Sequence, residues 1–392
     1  MADVQPNAEP PTPFGPREHR EHRHEISSLA EFDRVATTGS LAGYRLQSLD
    51  LTTRTFALLA TDATDSVFLG CVMEPDAAAK VRAGGALVFP PVPGLPFDPY
   101  HRALYTSDEL FSGLLEAGYD ATPDALTYRW FQETKAADDV VAGMLRSIHD
   151  DAVSDALDEH LAGAHVVGIL GGHAQARGSD AYAGAARLGR RLSRDGLTVA
   201  TGGGPGAMEA ANLGAYTAPY DDTVLDEALE LLSTAPHFSP SVTEWARAAF
   251  DVLRSRPGGG PSVAMPTWFY GHEPPNAFAT HIAKYFVNAL REEGLLARAN
   301  AGVVFLPGAA GTVQEVFDAA TLNYYRPQGD PTPMVLVNHR HWTETLPAWP
   351  LLRTLAAGHP MAGKITLVDS VDAVPEALAH LTGEAAGPGN GS

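Results

Sequence analysis

The chain has 392 residues, with 47 acidic side chains against 27 Lys and Arg and a formal charge of −20. Binding a polyanion draws on clustered cations, so this balance argues against a nucleic-acid partner, while 45% hydrophobic and 19% charged residues describe an ordinary soluble globular protein. The single cysteine, Cys71, rules out an internal disulfide or a thiolate metal cluster and fits a reducing cytoplasm, and no run reaches the roughly 18 apolar residues of a membrane helix.

Residues 1–25 begin MADVQPNAEPPTPFGP, which has no apolar core, so no signal peptide is expected. The charged run that follows reads as disordered, with His19, His22 and His24 as solvated charge rather than a metal site. A small α/β domain is expected over 26–135. Short β-like runs at 44–51, 55–59, 66–73 and 86–90 are separated by Asp, Thr and Gly turns, with a helix near 76–82. No acid, base or nucleophile converges there, so it reads as a packing or regulatory module.

The main domain is expected over 136–383, before a disordered tail at 384–392. An amphipathic helix over 137–163 places Val141, Met144, Leu145 and Ile148 at helical spacing. The strand VVGIL at 166–170 ends in GGHAQARGSD and a helix from Tyr182. LTVATGGGPGAMEAAN follows at 197–212: a strand, a glycine turn, and Pro205 where a starting helix tolerates it. Two helical patterns, 224–232 and 242–253, form an insertion at about 217–261, placed to be a lid, an interface or plain surface decoration. After a strand at 262–269, a helix over 276–293 buries Phe278, Ile282, Phe286 and Leu290 and sets His281, Lys284, Asn288 and Arg291 on a polar face. GVVFLPGAAGTVQEVF at 302–317 repeats the strand, glycine turn and helix start, now with Glu315 in the first turns. Strands at 333–338 and 365–369 and helices at 342–357 and 371–382 complete an alternation that means a Rossmann-like, doubly wound parallel sheet.

A glycine turn between a strand and a helix offers free N–H groups and the positive end of a helix dipole to an anion. Each turn alone is weak, and neither follows the G-x-G-x-x-G spacing. Together, GGGPGAM and PGAAGTVQE resemble the GGGxxGxM and PGGxGTxxE motifs of the LOG family over about 164–383. These are nucleoside 5′-monophosphate phosphoribohydrolases, often mislabelled lysine decarboxylases.

The resemblance implies hydrolysis of an N-glycosidic bond to free base and ribose 5-phosphate, by a homodimer or higher homo-oligomer, without metal or other cofactor. It assigns catalysis to Glu315 and Arg291. Substrate binding falls to Gly171, Gly172, Ser179, Gly202, Gly203, Gly204, Gly206, Met208, Lys284, Pro307, Gly308, Gly311 and Thr312. Arg291 stands 16 positions before Pro307 and is followed by Glu292, where the family has a lysine; Lys284 is the candidate replacement cation. His173 and Arg177 receive no catalytic role. Ala309 replaces the second glycine of PGG, which would cost stability if the position needed positive φ. A pyridoxal phosphate decarboxylase needs a lysine for its Schiff base; only Lys284 of the four lysines stands near the motifs. The alternative is a non-catalytic nucleotide-binding sensor or carrier on the same fold.

Overall fold

The computed structural model describes residues 25–270, 273–326 and 329–383; the readings of residues 1–24 and 384–392 lie outside them. Contacts divide these residues into a larger unit, 105–128 with 157–383, and a smaller one, 25–104 with 129–156. The division therefore falls at three places rather than at 135/136.

In the smaller unit four short parallel strands, β1 (Glu25–Ile26), β2 (Arg45–Gln47), β3 (Val67–Leu69) and β4 (Leu87–Phe89), pair in chain order. Glu25, Arg45, Val67 and Leu87 stack in one row. Helices Leu29–Ala36, Thr55–Ala60 and Pro75–Ala83 join the strands and bury Phe32, Leu58 and Val81 against Ile26, Leu46 and Phe68. The stretch 55–59, read as a strand, is thus helical. Ala57, Leu58, Leu59 and Ala60 are strong helix formers, and only Leu58 of that helix is buried while Phe56 is 90% exposed. The expected helix over 137–163 is Val140–His160, but its buried row is Ala142, Leu145 and Val153, and Val141 and Met144 are exposed.

The larger unit is built on a seven-stranded, wholly parallel sheet ordered β11-β10-β9-β5-β6-β7-β8. Its strands are β5 (Val166–Leu170), β6 (Thr198–Thr201), β7 (Ser262–Ala264), β8 (His281–Ile282), β9 (Gly302–Phe305), β10 (Met334–Val337) and β11 (Ile365–Val368). The near-continuous apolar runs at β5, β9 and β10 are buried throughout, as strands covered on both faces must be. The chain starts at the central β5, winds outward to β8, then returns to β9 on the other side of β5. That reversal is the topological switch point, where ligands of such sheets bind beyond the strands' carboxyl ends.

Two expectations change here. Residues 276–287 are not helical: β8 pairs with β7 through His281 and Ile282, and Ile282 also exchanges backbone hydrogen bonds with Tyr105 at 2.8 and 2.9 Å. The helix begins only at Asn288 and runs to Arg298. Phe278, Ile282 and Phe286 are buried, but so are Ala279, Ala283 and Tyr285, so an extended segment covered on both sides imitated a four-residue period. The insertion does form helices, Asp222–Ser233 and Val242–Ser255, yet their apolar stripes (Leu225, Leu232, Ala249, Val252) join the unit's own core instead of offering an outward surface.

Candidate functional site

Three strand ends meet at the switch point. After β5, the Gly172 N–H donates to the Pro307 carbonyl at 3.1 Å, and the Gly172 carbonyl accepts from the Ala207 N–H at 3.2 Å. One residue thereby ties together the turns that follow β6 and β9. A methyl group at Gly171 would come within 2.9 Å of both Ala207 and Leu306. Gly206 has φ +70°, and a side chain there would stand 2.5 Å from the Gly172 carbonyl oxygen, so glycine is required twice over.

The first turn rests on a polar floor. Thr201 Oγ1 accepts from the Gly203 N–H at 3.0 Å, and the Asn276 N–H donates to the Gly203 carbonyl at 2.8 Å. Thr201 Oγ1 and Asn276 Nδ2 both donate to Asn212 Oδ1, at 2.6 and 3.0 Å. Above it, the Met208 thioether occupies the space that side chains at Gly202 and Gly204 would take. Asn212 and Asn276 escaped the sequence reading, because the contact that unites them spans 64 residues.

At the second turn the helix Ala310–Tyr324 starts without any side-chain cap. Ala309, Ala310 and Gly311 are exposed, and a methyl at Gly311 would meet nothing within 4 Å. Thr312 is buried, and its hydroxyl fills the space beside Gly308. An uncapped, solvent-facing helix start with orphan N–H groups is a seat for an anion. Ala309 has φ −109°, so the cost of a side chain in the left-handed region does not arise. His341, another residue the sequence reading missed, approaches this turn: the Gly308 N–H donates to its Nε2 at 3.4 Å. Burial lowers the pKa of His341, which favours the neutral imidazole that can accept.

Between the turns lies an ion pair. Arg291 Nη1 on the helix Asn288–Arg298 meets Glu315 Oε1 on the helix Ala310–Tyr324 at 3.0 Å. The same Nη1 lies 3.4 Å from where a side chain at Gly202 would begin, so the guanidinium reaches from the first turn to the carboxylate of the second. Arg291 Nε is buried with no hydrogen-bond partner among the described residues. Burial raises the pKa of Glu315 to about 7, against the pull of Arg291 and with a push from Glu292 and Asp318.

Other expected residues have different surroundings. Ser179 caps the helix Asp180–Arg194, accepting from the Tyr182 N–H at 3.2 Å and donating to the Ala176 carbonyl at 2.8 Å. Lys284 is fully buried, paired with Asp124 and 5.1 Å from the Trp268 ring centre, so its contacts are not with the glycine turns. Arg177 forms a buried two-pronged pair with Glu209 and donates to the Trp245 carbonyl at 2.8 Å, which fastens the loop after β5 to the insertion. Glu273, a further residue missed, bonds His173 at 3.3 Å and stands 3.4 Å from the side-chain direction of Gly204.

The fold and these contacts define a doubly wound α/β protein with a carboxylate–guanidinium pair set between two glycine turns. Residues 255–381 match the family described as "Possible lysine decarboxylase". The matched stretch carries PGAAGTVQE, and that description is the label often attached to the LOG family that the two motifs resemble. GGGPGAM lies ahead of the matched stretch. No curated protein matches the chain. It is similar to the molybdenum cofactor binding protein of Rippkaea orientalis at 16% identity, over 56% of this chain and 98% of that one, with a TM-score of 0.35. A Moco carrier protein from Chlamydomonas reinhardtii is similar at 17% identity, over 57% and 99%, with a TM-score of 0.33. Among the described residues no helix is long and apolar enough to cross a membrane.

Proposed function

We propose that the larger unit is a nucleoside 5′-monophosphate phosphoribohydrolase. The observation that carries this reading is the Arg291–Glu315 pair at 3.0 Å, suspended between the Gly202 turn and the uncapped helix start at Ala309–Thr312. The 5′-phosphate occupies the N–H groups of that helix start, with Thr312 beside it, and the ribose lies towards Glu315. As the bond from C1′ to the base nitrogen breaks, positive charge grows on the ribose. Ionised Glu315 stabilises it and polarises the water that adds to C1′, while Arg291 orients the carboxylate.

The decarboxylase label does not fit the lysines. Lys284 is buried against Asp124, Lys80 donates to the carbonyls of Leu58 and Thr61, Lys364 donates to the Leu381 carbonyl, and Lys135 lies over the Phe131 ring. None of these contacts is with the glycine turns, so no lysine is in place to hold a pyridoxal group there.

One observation favours the second reading, a nucleotide-binding sensor. Arg291 pairs with Glu315, and such a pair can hold two helices together with no chemistry at all. Incubation of the pure protein with 5′-monophosphates and with the matching nucleosides separates the two. Free base from at least one monophosphate and none from its nucleoside is the expected result. Binding without turnover would favour the sensor, and equal turnover of both substrates would remove the phosphate seat.

A further inference from the structure

A second set of contacts runs beside the Arg291–Glu315 pair on the same two helices. Glu292, next in sequence to Arg291, is buried. Its Oε1 accepts from Asn288 Nδ2 at 2.8 Å and its Oε2 from Gln314 Nε2 at 2.9 Å. The same Gln314 amide nitrogen reaches Asp318 Oδ2 at 3.3 Å. Two carboxylates thus share one amide, and that amide belongs to the residue immediately before Glu315.

The charged groups acting on Glu315 are Arg291 and Glu292 from the facing helix and Asp318 from its own. Residues 202–206, GGGPG, contribute no ionisable side chain. With Glu315 ionised, the charges acting on it are one guanidinium and two further carboxylates. Glu292 is fixed by two neutral amides, which set the position of its charge without cancelling it.

We propose that Glu292, held by Asn288 and Gln314, is a positioning residue whose fixed negative charge works against the charge on Glu315. This rests on the phosphoribohydrolase reading, where the charge of Glu315 does the chemistry. Burial is the main force that holds Glu315 protonated against the pull of Arg291, and the charges of Glu292 and Asp318 add to it, so the carboxylate is poised near neutrality, where it can accept a proton from the attacking water and give it up again.

The test is the pH profile of monophosphate hydrolysis between about pH 5 and 9, the range that brackets such a group. The wild-type rate should rise through an acid limb near pH 7 as Glu315 ionises. Glu292→Gln keeps a side-chain oxygen to accept from Asn288 or Gln314 but removes the charge, and should move the limb down by about one pH unit. At pH 6 the variant would then run about fivefold faster than wild type, from the change in ionised fraction. Gln314→Ala, at an exposed position, releases one anchor of Glu292 and should move the limb the same way by less. It serves in place of Glu292→Gln if that variant does not fold. A lowered plateau with an unmoved limb in whichever variant folds would make Glu292 merely structural and overturn the proposal. If wild type shows no hydrolysis, the functional reading fails separately. The titration of the Glu315 carboxyl carbon by NMR, assigned through Glu315→Gln, then decides: a downward shift in Glu292→Gln or Gln314→Ala supports the proposal, and an unmoved titration refutes it.

Discussion

Glu315→Gln separates a catalytic carboxylate from a structural tie, because the two roles predict opposite signs in stability. Gln keeps the size of the side chain and an oxygen for Arg291 Nη1 to reach, but carries no charge. A carboxylate that stabilises an oxocarbenium ion acts in the transition state, so turnover should fall about a hundredfold or more while monophosphate affinity stays within a few-fold. In the folded protein the carboxyl titrates at about 7 instead of 4.5, chiefly because it is buried. A raised acid pKa means that the folded state holds the proton more tightly than the unfolded chain. The associated stability is fully present below about pH 4.5 and is lost as pH rises through 7, the loss amounting to about 3 kcal/mol. Glutamine mimics the protonated acid, so the variant should melt several degrees higher than wild type at pH 8 and at nearly the same temperature at pH 4.5. Calorimetry at the two pH values and a free-base assay at pH 8 read both effects. A variant that melts lower at pH 8 and still hydrolyses at the wild-type rate would refute the reasoning, and Arg291–Glu315 would be a strut.

The two glycine turns make separable predictions. Gly206→Ala combines positive φ with a contact of 2.5 Å to the Gly172 carbonyl and should destabilise the fold by more than about 1–2 kcal/mol in denaturant melts. Gly311→Ala meets nothing and sits in a helix, so stability should hold or rise slightly, while a methyl group at the anion seat should weaken monophosphate binding about tenfold or more by calorimetric titration. A homodimer is also expected, although not through the insertion, whose apolar stripes are internal. Phe269, Tyr270, Val287 and Leu290 are each at least 43% exposed, and Asn288 bonds Tyr270, so these residues form an apolar surface at the start of the Arg291 helix. Light scattering should give a dimer mass for wild type and a monomer for Leu290→Asp; a monomeric wild type at micromolar concentration would remove the idea.

What was legible in the sequence is what is encoded locally. The order of strands and helices after residue 164 could be read because apolar runs at 166–170, 303–306 and 333–338 have one use, and the glycine turns because Gly203 and Gly206 take positive φ where the chain must turn and approach another backbone. Residues 276–293 misled because burial on both sides of an extended segment left apolar residues at a spacing that also suits a helix. That error carried Lys284 with it, since its place on the polar face followed from a helix that does not exist there. His341, Asn276 and Glu273 could not have been read at all: each reaches the site from a segment whose course depends on distant pairings, His341 across 33 residues to Gly308 and Asn276 across 72 to Gly204.

The departures from the family pattern have unequal physical weight. Ala309 drew suspicion from its sequence, but with φ −109° at an exposed helix start it demands nothing of the backbone. Glu292 drew less notice, yet replacing a cation by an anion beside Arg291 changes the charge around the reacting carboxylate. Here the family's lysine is absent, Lys284 is committed to Asp124, and the charges of Glu292 and Asp318 add to the burial that raises Glu315 against the pull of Arg291. Under the proposed hydrolysis, the pH at which Glu315 acts should therefore depend on the residue at 292 as well as on burial, and not on the glycine motifs alone.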